Sequence, residues 1–419
     1  MKIINYIKRI ISNKDARILF SNFIWLSLLK VVGFLLPLVT LPYLSRVIGL
    51  DNFGKIAFAA SVVYFFELFT DFGFNYTATR DVAKNRNDIE KVTLIFSNVF
   101  WAKTVLMILS LILLVIIICC SSECRTYGLL LFFTFLYIPG HIIFPDWFFQ
   151  AMEDMKYITI LNVISKLFFT MMIFMVINNP SDYIYQPLLI AGGYVISGIL
   201  SLFFIRYRYG IALRKTNFCE VYNTIKNSFN MFICQFVPSL YSNLSVIFLQ
   251  KFWGPSASGI FSSGKKFPDV ASQISTLISR VFYPYLIRRI DRHKFFVWVN
   301  LLVSMFLCIV LFLSSNLLVE VFYTTEFMAA SKVIKVFAIS LPFSFFETSW
   351  GNNYLVVVGK EHLLRNNIFV GSVLGVLLSI FLIKNYGYIG AAYTFLLTRI
   401  YFALTNWGLS YCLMKKIIK

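Results

Sequence analysis

Twelve stretches of mostly apolar residues run through this chain, at 19–44, 56–78, 93–120, 127–151, 157–178, 187–205, 228–250, 257–287, 295–316, 332–358, 366–383 and 387–413. A helical membrane crossing needs about 20 such residues, and a backbone in lipid must satisfy its own hydrogen bonds. The pattern therefore predicts an all-α polytopic membrane protein with about twelve transmembrane helices. The longest polar stretch between spans is 206–227, which divides the spans six and six. The expected organisation is an N-terminal six-helix bundle (1–205), a cytoplasmic linker (206–227) and a C-terminal six-helix bundle (228–419). Basic residues alternate across successive loops, about four to one in favour of the side that carries the N-terminus. By the positive-inside rule, both termini are expected in the cytoplasm. Residues 1–17 are basic and weakly amphipathic, without the apolar core or cleavage site of a signal peptide, and are expected to lie on the inner membrane surface.

The polar positions also show an internal repeat. Arg46, Gly49 and Gly54 in the turn LSRVIGLDNFGKIAF recur at a constant offset as Lys251, Gly254 and Gly259 in LQKFWGPSASGIFSS. The first turn joins spans one and two, the second spans seven and eight. A repeat of six spans places both copies in the same orientation, as in many transporters. Prolines fall in the paired spans one and seven (Pro37, Pro42, Pro238) and in span eight (Pro268). Each removes a helical hydrogen bond and favours a bend, so these helices are candidate gates, a reading weighed equally against static kinks.

Inside the apolar spans lie Lys30, Lys103, Lys166, Lys265, Lys266, Arg280, Lys335 and Arg399. At about 2.5 to 3.5 kcal/mol for each basic residue at the bilayer centre, eight facing lipid would cost upwards of ~20 kcal/mol, more than the net stability of a fold. A hydrated interior suited to an anion follows. Lys30, Lys103 and Lys166 each lie about ten residues from the cytoplasmic end of their spans, at ~15 Å depth by helical rise, and are expected to form a belt. The alternative is that they neutralise buried acids as folding pairs. Lys265, Asp269, Ser272, Thr276 and Arg280 follow helical spacing and form one stripe. Glu67 and Asp71 stand one turn apart, and Glu347 shares a face with Ser340 and Ser344. These acids, Asp269 included, are candidates for binding a coupling ion, H+ or Na+. Five acids against eight bases in the spans leave cations in excess.

The net charge of +19 in a chain that is 59% hydrophobic and only 14% charged reads as topology and contact with anionic lipid, with no nucleic-acid partner. There is no P-loop. The seven cysteines have no metal-type pair spacing, and His141, His293 and His362 are scattered. No metal and no cofactor are expected; His141, inside a span, reads as a core histidine in preference to a pH sensor.

Two segments resemble a known group. In YLSRVIGLDNFGKIAFAASVVYFFELFTDFGFNYTATRDVAKNRND the likeness is carried by Arg46, Gly49, Gly54, Asp71, Phe72, Gly73 and Arg80. In PDWFFQAMEDMKYITILNVISK it is carried by Pro145, Trp147, Gln150, Glu153 and Lys166. Both are similar to the Wzx-type O-antigen or capsular polysaccharide flippases of the polysaccharide transporter family, in the MOP superfamily. Ala151 departs from the glycine usual there. The resemblance implies two MATE-like bundles in the bacterial inner membrane and a transporter rather than an enzyme. Its implied substrate is an undecaprenyl-pyrophosphate-linked oligosaccharide moved from the inner to the outer leaflet. It also implies membrane lipids, a polysaccharide polymerase and a chain-length regulator as partners. Among cavity positions it supports Lys166 and Asp71; Lys30, Lys265, Asp269, Arg280 and Arg399 rest on helical faces alone. A MATE-like cation-coupled drug exporter would favour a net acidic interior. A membrane-bound polymerase or ligase would need a large outer loop, and every outer loop here is short.

Overall fold

The computed structural model describes residues 14–418, so most of the basic N-terminal segment lies outside the described residues. The described chain is all-helical, in thirteen α-helices. They are α1 (Lys14–Asp71), α2 (Phe74–Lys84), α3 (Ile89–Cys120), α4 (Ser122–Thr126), α5 (Gly128–Phe135), α6 (Tyr137–Ile143), α7 (Asp146–Ala151), α8 (Met155–Val176), α9 (Gln186–Tyr209), α10 (Phe218–Arg288), α11 (His293–Phe322), α12 (Ala330–Trp350) and α13 (Glu361–Ile418). Eight segments are long and apolar enough to cross a membrane, which makes this a multi-pass membrane protein. The fourth apolar stretch is broken into α5, α6 and α7.

Three segments are too long for one crossing. Each contains one residue with non-helical angles: Gly49 in α1 (φ 72°, ψ 176°), Gly254 in α10 (φ 79°, ψ −175°) and Gly387 in α13 (φ 57°, ψ −136°). Positive φ is open to glycine at little cost, since no Cβ meets the carbonyl oxygen. The backbone leaves helical angles at Gly49 and not at Pro37 or Pro42. Gly49 and Gly254, the paired glycines of the sequence repeat, share one conformation within about ten degrees. Around Gly387 the two arms of α13 fold back on each other: the Asn367 amide donates to the Asn406 side-chain oxygen at 2.8 Å, and Gly371 packs on Phe402.

The chain forms two compact units that are interleaved along the sequence. Among the described residues, unit 1 comprises 14–43 and 63–235, and unit 2 comprises 44–62 and 236–418. The division thus falls next to Pro42 in α1 and just before Pro238 in α10, and the start of α10 packs with unit 1. Unit 1 is centred on aromatic residues, with Phe74, Phe148 and Phe149 fully buried. Phe72 stacks on Phe232 of α10 at 4.5 Å, and Thr77 shares a 2.7 Å hydrogen bond with Ser228.

In unit 2 the physical reason for the 44–62 assignment is visible. A Cβ on Gly54 would lie 1.8 Å from the Pro255 carbonyl oxygen, and one on Gly259 would lie 2.7 Å from that of Leu50. The two repeated turns therefore pack backbone to backbone, an approach that only glycine permits. Phe53 adds edge contacts with Tyr323 and Phe327. Polar groups tie α11 to α12: Asn300 donates to Ser349 Oγ at 2.7 Å, and a ring nitrogen of His293 lies 2.8 Å from the Ser349 carbonyl oxygen.

Candidate ion-coupling and substrate sites

In unit 1, α1 and α3 bring Asp71 and Lys103 together at 2.7 Å, with Lys103 only 3% exposed. Grouped by sequence with Lys30 and Lys166, Lys103 belongs structurally to the acids. A buried ammonium needs such a partner, because isolated burial of a charge costs several kcal/mol. The Asp71 carboxylate is shared with His141 Nε2 at 3.3 Å and accepts from the Asn75 amide at 3.2 Å. Glu67, one turn earlier, accepts from the Tyr137 hydroxyl at 3.0 Å. Tyr137 stacks on His141 and meets Tyr194 edge-on at 4.6 Å.

His141, far from Glu67 and Asp71 in sequence, joins them because α6 packs on α1. The ligand atoms of the three residues lie within 4.8 Å of one another, a spacing that can hold a cation. Sequence spacing alone gave no sign of this grouping, nor of Tyr137 and Tyr194; the helical position of Tyr137 one turn before His141 was the available signal. The Lys103 ammonium already stands at Asp71, so any other cation must compete with it.

Lys30 and Lys166 form a second feature of unit 1. The Lys166 ammonium donates to the Gly33 carbonyl oxygen at 3.4 Å, and Lys30, one turn before Gly33, acts on it electrostatically. Lys30 is exposed and Lys166 half-buried. Gly33 makes room: a Cβ there would stand 2.8 Å from Lys166 Nζ. The expected three-lysine belt is thus divided into the Lys30 and Lys166 pair and a separately neutralised Lys103.

Unit 2 holds a polar cleft of about 160 Å³ between α10, α12 and α13, lined among others by Pro268, Asp269, Ser272, Ser340, Phe395 and Arg399. Arg399 Nη1 donates to Glu347 at 2.6 Å, and its guanidinium lies 4.9 Å from the centre of the Phe395 ring. Lys265 lies 4.0 Å from Asp269 and 5.9 Å from the same ring. The stripe predicted along span eight is realised from Lys265 to Thr276. Arg280, one turn further, is exposed and is not part of the cleft wall. Lys266 lies 4.5 Å from the Phe53 ring centre, and Lys335 lies 5.7 Å from that of Phe312.

Residues 19–290 match the family model described as polysaccharide biosynthesis protein. A protein of Escherichia coli (strain K12) named "Putative O-antigen transporter" is 29% identical over 272 residues, which span 65% of this chain and 66% of that relative. Among solved structures, the lipid II flippase MurJ in an inward closed conformation has a TM-score of 0.72 at 13% identity, over 92% of this chain and 86% of that one. An inward-facing multidrug resistance MATE family transporter of the MOP superfamily has a TM-score of 0.64 at 13% identity, over 92% of this chain and 98% of that one. At such identities the likeness is one of fold.

Proposed function

Because the chain belongs to the polysaccharide biosynthesis protein family, we propose that it is a flippase for lipid-linked oligosaccharide repeat units. Its substrate would be an undecaprenyl-pyrophosphate-linked unit of O-antigen or capsule, moved from the inner to the outer leaflet of the bacterial inner membrane by alternating access. The observation that carries this reading is the half-buried Lys166 ammonium, held within a membrane span at the Gly33 carbonyl oxygen. A cation half-buried in a membrane span is costly unless water or an anion offsets it, and a pyrophosphate offers such an anion. The name of the Escherichia coli relative and the fold shared with a lipid II flippase support the same reading. A drug exporter for organic cations is disfavoured by the half-buried Lys166. A polymerase is the expected consumer of the exported unit and not the role of this chain.

The Glu67, Asp71 and His141 cluster is the proposed coupling element, for H+ or Na+. An arriving cation would compete with Lys103 for Asp71, so occupancy would be linked to the local charge balance. Asp269 and Glu347 are engaged with basic partners in unit 2 and take second place.

In the proposed topology each glycine-broken segment crosses twice and Ala330–Trp350 crosses once, giving twelve passes with both termini in the cytoplasm.

The test is complementation of surface-polysaccharide assembly, with expression and membrane insertion verified for each variant. Lys30→Ala and Lys166→Ala, singly and together, should abolish export, and Lys→Arg at either position should retain it, since both cations bind phosphate. Full export by the double alanine variant would overturn the reading. For coupling, Glu67→Gln and Asp71→Asn should change the dependence on the proton or sodium gradient. For topology, cysteine labelling should place positions 84, 215 and 292 inside and 51, 182 and 384 outside.

A further inference from the structure

We infer that the polar cleft of unit 2 is a subsite for one uncharged sugar ring of the translocated unit, and not a second pyrophosphate site. The identity of the molecule that carries the sugar rests on the function proposed above; the chemistry of the cleft does not.

Size sets the first limit. The cleft has a volume of about 160 Å³. It is about half the ~300 Å³ at which pockets begin to hold drug-sized ligands. A cleft of this size suits a ligand smaller than a drug, such as one sugar ring.

Charge sets the second. The charged residues that line the cleft are one acid, Asp269, and one base, Arg399, and each has an opposite neighbour behind it, Lys265 at 4.0 Å and Glu347 at 2.6 Å. The wall is balanced in charge. An added anion would have to displace an existing carboxylate from its partner, whereas an uncharged ligand leaves both pairs in place.

Hydrogen-bond polarity sets the third. Ser272 donates to the Asp269 carbonyl oxygen at 2.8 Å, Ser340 to that of Phe337 at 2.7 Å and Thr348 to that of Ser344 at 3.0 Å. With their hydrogens committed to their own helices, these hydroxyls present lone pairs to the cleft. The Asp269 carboxylate, half exposed at 52%, accepts only. These groups are acceptors, whereas Arg399 and the hydroxyls of Thr276 and Ser344 on the same wall can donate. A phosphate oxygen accepts only and finds no partner in the acceptors Asp269, Ser272, Ser340 and Thr348. A sugar hydroxyl both donates and accepts, so it complements both kinds of group.

The experiment is ligand protection in the full-length protein purified in detergent. Ser344→Cys, on the cleft wall, is introduced into a background lacking the seven native cysteines, and its rate of alkylation is measured. The probes are methyl glycosides of glucose, galactose, mannose and N-acetylglucosamine up to about 100 mM, which reports dissociation constants into the tens of millimolar, and inorganic pyrophosphate. At least one glycoside should slow alkylation threefold or more, while pyrophosphate leaves it unchanged. Asp269→Asn should weaken that protection severalfold; Ser272→Ala provides a second, milder variant if the first does not fold. Protection by pyrophosphate instead of glycosides, protection by neither, or glycoside protection indifferent to both variants would each overturn the inference. Failure of the flippase reading is distinct: Lys30 and Lys166 variants would then export normally, whatever the glycosides do at position 344.

Discussion

Replacing Lys103 by methionine should destabilise unit 1 severely, and replacing Asp71 by asparagine in the same chain should restore most of the loss. The pair is separated by 2.7 Å and Lys103 is 3% exposed. At an effective dielectric of 20, two charges at that distance attract by about 6 kcal/mol. Desolvation offsets much of this, so the pair itself contributes little beyond what two neutral residues would. Breaking it is different, because the carboxylate stays buried. Loss of one partner from such a pair costs about 3 to 5 kcal/mol. His141 at 3.3 Å and the Asn75 amide at 3.2 Å remain beside Asp71, which favours the lower end, ~3 kcal/mol. For a unit of this size that corresponds to a fall in Tm of about 6 to 12 °C. The assay is thermal unfolding of the purified protein in detergent, followed by tryptophan fluorescence, for both single variants and the double. The coupling between the two sites should exceed about 1 kcal/mol. A shift below about 2 °C for Lys103→Met, or a double variant no more stable than that single one, would refute the argument that Lys103 is held as a partner of the acids.

Three further outcomes follow from particular contacts. Gly54→Ala would place a Cβ 1.8 Å from the Pro255 carbonyl oxygen; with backbone on both sides the strain should reach ~3 kcal/mol or more, read as loss of folded protein in size-exclusion chromatography, and normal yield and Tm would refute it. Gly33→Ala meets only the flexible end of Lys166, at 2.8 Å; folding should be retained while export falls, and unimpaired complementation would count against the Lys30 and Lys166 site. Asp88 caps α3 by accepting from the Lys91 backbone N–H at 3.1 Å, and that bond holds its carboxyl below the usual range. A depressed carboxylate contributes stability above its ordinary pKa and loses it as pH falls through the folded value. Asp88→Asn keeps an accepting oxygen, so it should remove part of the acid sensitivity of unfolding without removing the cap; an identical pH profile in the variant would show that the charge is irrelevant.

The sequence by itself determined the helical membrane class, the positions of the apolar segments and the equivalence of the two glycine turns. These features are local. Hydropathy is read residue by residue, and a positive φ at Gly49 and Gly254 needs only the absence of a Cβ. The stripe from Lys265 to Thr276 was legible for the same reason, since helical period alone places those side chains on one face. Only the tertiary structure decided which charges meet. Lys103 could as well have joined Lys30 and Lys166; it pairs with Asp71 because α3 packs against the end of α1, and His141 completes the group because α6 does too. Arg280 and Arg399 are both arginines in apolar spans, yet only Arg399 reaches a carboxylate, Glu347 on α12. The transfer of 44–62 to unit 2 was equally hidden, because it depends on the Gly54 turn packing on its own repeat around Gly259. Interactions between helices distant in sequence depend on rotation and register, and a one-turn change in either alters every partner while leaving the hydropathy pattern the same.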